Sequence, residues 1–235
     1  MKKILSYTFL FIILLFIIAI IVGKSTIKHV DYQQYISTVK YFSSPIESVY
    51  KEFHKINGTF IEDEKIKDIK DLIGKSEYVL KVSVENEPVF YGNGIINKVQ
   101  VLEIIKSNNK DIKVGEQLKV YDLISFWSGD YVNYYGGMTP LNSKNKYVIF
   151  LKKAEHANQK NTYIFSSIKY GHFNISVLEP NILKNYVQGS LKVNEIMNYD
   201  YVETECESSG YDVCDKYADD YSIMKRQLLD YIQGS

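Results

Sequence analysis

An uninterrupted apolar run lies near the start of the chain. Residues 1–3 (MKK) are a short basic start, and residues 9–22 contain no polar side chain. As a helix, residues 4–22 would span about 28 Å, close to the ~30 Å thickness of a bilayer hydrocarbon core. We therefore predict that residues 1–24 form a transmembrane anchor and that the rest of the chain is extracytoplasmic, in a single-pass protein of the cell membrane.

A cleaved signal peptide is the alternative for the same segment. Signal peptides have a shorter apolar core and a small-residue cleavage site. Gly23-Lys24-Ser25 could serve as such a site, although the lysine at its centre is unfavourable. The protein would then be secreted instead of anchored.

After the anchor, residues 25–62 read as a polar stalk followed by a helical segment. Ser44 can cap a helix, Pro45 suits a first turn and Glu47 completes a capping box. Apolar residues recur at helical spacing from residue 46 to residue 56. A second short helix is predicted over residues 64–73, with Gly74 as its stop.

The hydrophobic period changes to two after Gly74, which predicts strands. Strands are expected at residues 78–84, 95–105, 117–123 and 147–151, and residues 163–168 and 173–177 supply a fifth, broken at Gly171. Short strands separated by turn signals favour a small barrel or sandwich. Residues 63–178 are therefore predicted to be one β domain.

Residues 179–235 are predicted to be a helical extension. In residues 215–232, Tyr217, Tyr221, Met224, Leu228 and Tyr231 form an apolar stripe of an amphipathic helix. Lys216, Asp220, Lys225 and Arg226 fall off that stripe. The stripe favours packing on the chain's own β domain, and docking on a partner is the alternative.

Four segments in residues 71–153 resemble a known domain. They read DLIGKSEYVLKVSV, VQVLEIIKS, IKVGEQLKVYD and GGMTPLNSKNKYVIFLKK. This resembles a domain of exported or membrane-anchored bacterial proteins of uncharacterised role. The resemblance implies a five-stranded OB-like barrel, similar to the N-domains of tissue inhibitors of metalloproteinases. Where that pattern has a glycine, this chain has Lys144-Asn145-Lys146, and Asn145 could take the left-handed turn.

The predicted fold class is therefore α+β. It comprises an N-terminal transmembrane helix, a small antiparallel five-stranded OB-like barrel flanked by helices, and a C-terminal amphipathic helix. Lys and Arg number 28 and Asp and Glu also number 28, so the chain lacks the basic excess of a nucleic-acid binder. No motif predicts a catalytic residue, metal site or cofactor.

Cys206 and Cys214 are the only cysteines of the chain. An even count in an exported segment predicts a disulfide, which would close a small loop before the last helix. Two free thiols are the alternative. The surrounding acidic residues lack EF-hand spacing and are interpreted as a solvated face.

The segment most suggestive of binding is residues 124–140, ISFWSGDYVNYYGGMTP. Aromatic side chains on a loop of an OB-like barrel commonly contact ligands. The candidate binding residues are Phe126, Trp127, Tyr131, Tyr134 and Tyr135. A hairpin extension whose aromatic rings cover one barrel end is the alternative.

These patterns favour a non-enzymatic binding or interaction module at the bacterial cell envelope. Its partners would be the membrane, through the N-terminal helix, and an unidentified protein or cell-wall polymer. The fold analogy offers an inhibitor of an exported hydrolase as the alternative, followed by an envelope enzyme.

Overall fold

The computed structural model describes most of the chain after residue 31. The described residues are 32–44, 63–91, 94–109, 111–122, 124–127, 131–154, 161–184, 186–203 and 211–234. Among them, no helix has both the length and the apolarity needed to cross a bilayer. The predicted anchor and all of the predicted helix after Ser44 lie outside these residues.

The architecture is mixed α+β and ends in a long helix, as predicted. The helices are α1 (Tyr32–Ile36), a 3₁₀ turn (Asp63–Lys65), α2 (Ile69–Lys75), α3 (Val193–Ile196) and α4 (Tyr211–Gln233). The strands are β1 (Lys40–Ser44), β2 (Tyr78–Tyr91), β3 (Gly94–Ser107), β4 (Gln117–Tyr121), β5 (Ile124–Trp127), β6 (Tyr131–Tyr135), β7 (Lys146–Lys153), β8 (Thr162–Phe165), β9 (His172–Asn174), β10 (Ile182–Leu183) and β11 (Tyr201–Val202).

The main sheet has six strands in the order β2-β3-β4-β8-β7-β9, and β2 also pairs with β7. Each of β2, β3, β4, β8 and β7 therefore has two neighbours within that set. The predicted antiparallel pairing holds for four of the five pairs, whereas β4 and β8 are parallel. One parallel pair is unavoidable, because strict alternation of direction cannot close on an odd number of strands.

The central strands are buried on both faces. On β7, Ile149 and Leu151 pack in one core with Leu80 and Val82 of β2. The alternate residue Phe150 packs in a second core, against α2 and α4. This double burial explains why the YVIFL segment is apolar at every position instead of alternating.

The predicted fifth strand is two separate strands. β8 and β9 both pair with β7 and are separated by the buried residues 166–171. The turn between them is tight. A Cβ atom at Gly171 would lie only 2.8 Å from Phe165 Cγ, so the position leaves no room for a side chain. The predicted break at Gly171 is confirmed.

Two local predictions were wrong. The helix predicted over residues 64–73 is divided into the 3₁₀ turn and α2, because the Asp68 side chain accepts from the backbone N–H of Asp71 and caps a new start. Asn145 does not take a left-handed turn. Among the described non-glycine residues, only Asn161 has a positive φ, at 56°.

Residues 32–44 differ from the predicted stalk. Helix α1 and strand β1 are folded into the same compact unit as the rest of residues 32–235. Their buried residues Tyr32, Ile36 and Tyr41 belong to a third hydrophobic core. That core also contains Val132 and Tyr134 of β6, so β1 and β6 share one interior.

Helix α4 packs on its own β domain, as the apolar stripe predicted. Tyr221, Met224 and Leu228 are buried in the second core. Lys225 corrects the helical-wheel assignment, because it falls off the stripe and is nevertheless 0% exposed. Its partner is Asp200, at a distance of 2.7 Å between Nζ and Oδ2.

Candidate binding surface

The predicted aromatic loop is a β-hairpin. Strands β5 and β6 pair antiparallel, with Trp127 opposite Tyr131 and Phe126 opposite Val132. Directly opposed residues of such a pair share one face of the sheet. The hairpin therefore has two kinds of aromatic position, which the sequence alone presented as a single group.

The inner positions belong to the core. Val132 and Tyr134 are each 1% exposed. Phe126 lies opposite Val132 on the neighbouring strand and therefore on the same face of the sheet. Tyr134 stacks on Tyr41 with ring centroids 5.2 Å apart. Tyr134, one of the predicted binding residues, is therefore buried, and its ring packs in the third core instead of on the surface.

The outer positions form the candidate surface. Trp127, Tyr131 and Tyr135 alternate with the inner residues and lie on the opposite face by backbone register. Tyr131 is half-buried. The side chains of Phe126, Trp127 and Tyr135 lie outside the described atoms, so only their strand positions enter the geometry.

Strand β1 adds residues that the sequence analysis missed. It pairs parallel with β6, with Lys40 opposite Tyr131 and Phe42 opposite Asn133. The rings of Phe42 and Tyr131 are 4.9 Å apart and tilted by 51°. The alternation of the KYFSS segment was the available signal, but it is short and isolated. We call the outer face of β1, β6 and β5 the aromatic face.

Hydrogen bonds of the third core fix the position of β1. The hydroxyl of Tyr41 donates to the carbonyl of Met138 at 3.0 Å. The hydroxyl of Tyr186 donates to the carbonyl of Tyr41, and the rings of these tyrosines meet edge to face at 5.6 Å. Residues from three distant parts of the chain thereby lock the strand that carries Phe42.

Gly189 fits closely beneath Phe42. Its φ of +71° lies in the left-handed region, and a Cβ atom there would approach Phe42 Cζ to 2.7 Å. The backbone N–H of Gly189 also donates to the carbonyl of Tyr41 at 3.1 Å. A glycine is required here both by backbone conformation and by space.

A buried ion pair links α4 to the segment that precedes β11. Lys225 of α4 and Asp200 have 0% and 2% exposed side chains. The Oδ2 atom of Asp200 also accepts from the backbone N–H of Asn181 at 2.9 Å. A buried charge without its partner is strongly unfavourable, so the pair couples these segments.

His172 lies in the same interior, where burial disfavours its charged form. Its Nε2 atom donates to the carbonyl of Thr139 at 3.0 Å, while Nδ1 is buried with no hydrogen-bond partner among the described residues. Burial lowers the pKa of His172 to about 4. The position suits a structural histidine, and it offers no access for a substrate.

A groove of about 590 Å³ lies between the start of α2 and the end of α4, and Asp68, Lys70 and Asp230 are among the residues that line it. Among the described residues, no cluster of His, Cys, Asp or Glu could hold a metal ion.

Cys206 and the side chain of Cys214 lie outside the described atoms, so the disulfide stays a prediction.

No protein-family model and no curated protein matches the chain.

Proposed function

We propose that this chain is a membrane-anchored extracytoplasmic binding module that contacts an envelope protein or polymer through the aromatic face. The register of three strands carries the proposal, because it gathers Phe42, Tyr131 and Trp127 on one face from separate parts of the chain. Aromatic side chains at partly exposed positions are common anchors of binding sites.

We also infer that the β domain is an OB-like barrel. The pairings of β2, β3, β4, β8 and β7 support this, because each strand has two partners in a set of five and only β4 and β8 are parallel. Core residues from all five strands cluster together, as the inward residues of a small barrel would. In OB-like folds, strand faces and loops are the usual binding elements.

The location part of the proposal rests on the sequence. The apolar run at residues 9–22 has the length of a bilayer-spanning helix. The equal numbers of acidic and basic residues favour a partner other than a nucleic acid. A non-enzymatic role is favoured because the deeply buried groups Lys225, Asp200 and His172 are held in structural contacts.

The test is crosslinking and pull-down from intact cells that produce the full chain. Trp127→Ala and Tyr131→Leu should each reduce recovery of the crosslinked partner while leaving thermal unfolding almost unchanged. Tyr231→Leu, a half-buried tyrosine on α4, is the matched control and should leave recovery unchanged. Equal recovery from the wild type and both face variants would refute the proposed binding surface.

Protease protection of intact cells tests the location separately. The domain after residue 31 should be digested by protease added outside, and the mature mass should retain the N-terminal segment. A protected domain would exclude the extracytoplasmic assignment.

A further inference from the structure

A row of four residues crosses the aromatic face. Lys192 forms an antiparallel bridge with Lys40, Lys40 lies opposite Tyr131, and Tyr131 lies opposite Trp127. Residues at such register positions share one face. With neighbouring strands about 4.8 Å apart, the row is roughly 14 Å long. It places two cations directly beside two aromatic positions.

Within the described part of the chain, the two lysines lack charge partners. Both are exposed, and neither makes an ion pair with any carboxylate in the part of the chain that the structure describes. The nearby carboxylate of Glu195 accepts instead from the backbone N–H of Lys192 at 2.7 Å. Like charges directly opposite each other destabilise a sheet. Folding alone therefore gives no reason for this pair, whereas binding of an anion does.

The aromatic end of the row has a different chemistry. The rings of Tyr131 and Phe42 are 4.9 Å apart and tilted by 51°, and the Tyr131 hydroxyl makes no hydrogen bond among the described residues. The negative face of an aromatic ring attracts the positively polarised C–H groups of a sugar ring. A hydroxyl beside that ring can bond to sugar hydroxyls.

We propose that the aromatic face binds an anionic polysaccharide, with Lys40 and Lys192 on its acidic groups and the ring of Tyr131 against a sugar ring. This rests on the proposed function and names its ligand class. Charge complementarity selects an anionic chain, and the length of the row suits an extended polymer. A single-stranded nucleic acid is less favoured, because the chain as a whole has no basic excess.

The experiment measures binding of the full-length chain, in mild detergent micelles, to immobilised polymers by biolayer interferometry. The polymers are polygalacturonate, neutral dextran, polyglutamate and oligo-dT. Lys40→Gln/Lys192→Gln removes both cations, and Lys113→Gln/Lys144→Gln is the matched control, since these exposed lysines have no side-chain partner among the described residues. Tyr131→Leu removes the ring and retains an apolar side chain.

Polygalacturonate should bind most tightly. The Lys40→Gln/Lys192→Gln variant should weaken that binding about tenfold, the size of two exposed ion pairs. Tyr131→Leu should weaken it about fivefold, the size of one aromatic contact. The control double variant should bind as the wild type does. Removal of the like charges should also leave thermal stability equal or slightly higher, which separates lost binding from lost folding.

Other outcomes overturn the inference in distinguishable ways. Equal binding to polyglutamate, with no effect of Tyr131→Leu, would mean charge attraction without sugar recognition. Tighter binding of oligo-dT would make the ligand a nucleic acid, and equal binding of dextran would remove the role of the lysines. If no polymer binds but Tyr131→Leu loses the crosslinked cell-surface partner, the ligand is a protein and only the proposed function survives. If the variant loses neither, both proposals fail.

Discussion

The main sheet and the three-stranded aromatic sheet are stabilised differently. In the main sheet, β2, β3 and β4 follow one another along the chain and line a mainly aliphatic interior that includes Leu80, Val99 and Ile149. In the aromatic sheet, β1 pairs with a strand that begins 91 positions later, Lys40 being opposite Tyr131.

The interiors differ accordingly. The third core, beneath the aromatic sheet, contains several tyrosines. Tyr134 stacks on Tyr41, and the hydroxyls of Tyr41 and Tyr186 donate hydrogen bonds. Aliphatic packing is non-directional, whereas hydrogen bonds require particular partners at particular distances. The aromatic sheet therefore depends on individual contacts more than the main sheet does, and the predictions that follow test this difference.

The largest effect is expected outside both sheets, at the buried ion pair of Lys225 on α4 with Asp200. Lys225→Met should lower the free energy of unfolding by about 3–5 kcal/mol, because it leaves Asp200 charged and buried. In urea titrations, Lys225→Met/Asp200→Asn should recover much of that loss, since asparagine is neutral and can still accept from Asn181. The exposed neighbour Arg226→Met is the control and should change stability little. A small loss for Lys225→Met would show that the pair does not stabilise the fold.

The next effect is a dependence of stability on pH. The folded pKa of His172 is about 4 and the ordinary value is 6.5, so the unfolded chain binds this proton first as the pH falls. Stability should therefore be retained above pH 6.5 and decline as the pH falls from 6.5 towards 4. The total loss from this group is about 3 kcal/mol.

His172→Gln tests the assignment of that pH dependence. Glutamine can still donate to the carbonyl of Thr139 but does not titrate. Urea unfolding at pH 7 and pH 4.5 should show a smaller decline for the variant than for the wild type. Parallel declines would assign the effect to other groups.

A smaller effect is expected at the glycine beneath Phe42. Gly189→Ala and Gly115→Ala both place alanine at a positive φ, which costs about 1–2 kcal/mol. At Gly115 the added Cβ meets open space, whereas at Gly189 it meets the ring of Phe42. Gly189→Ala should therefore be the more destabilising variant by about 1 kcal/mol or more, and it should weaken binding at the aromatic face. Equal losses would mean that Phe42 moves aside freely.

The smallest effect compares two stacked tyrosines. Tyr41→Phe removes the hydrogen bond to Met138 and should cost about 1 kcal/mol. Tyr134→Phe removes a buried hydroxyl that has no hydrogen-bond partner in the described part of the chain, so it should be neutral or slightly stabilising. Thermal unfolding of both variants checks the difference, and a loss at Tyr134 would reveal a partner for its hydroxyl, such as ordered water.

The main sheet was largely predictable because its signal is local. Alternation marked β2, β3 and β4, an apolar run marked β7, and Gly171 marked the break between β8 and β9. The parallel pairing of β4 with β8 was not predicted, since it follows from closing five strands, which no single segment shows. Strand bounds also differed, because pairing partners extend β2 and β3 beyond their apolar stretches.

The candidate surface was only half predictable. Its aromatic residues were recognisable by composition, but their division into inner and outer positions required the register of β5 and β6. Phe42 and Lys40 were missed because the β1 segment has too few residues to show a convincing period. Lys225 was assigned to the polar side of α4 because a helical wheel cannot show that Asp200 approaches from another element.

The sequence by itself determined the α+β class, the main strands and the amphipathic character of α4. These follow from periodic burial, which neighbouring residues encode directly. Only the tertiary structure decided which tyrosines are interior, which lysines meet across strands and which charges are buried in pairs. Such relations join residues far apart in the chain, and their energies depend on distances and exposure that local patterns do not contain.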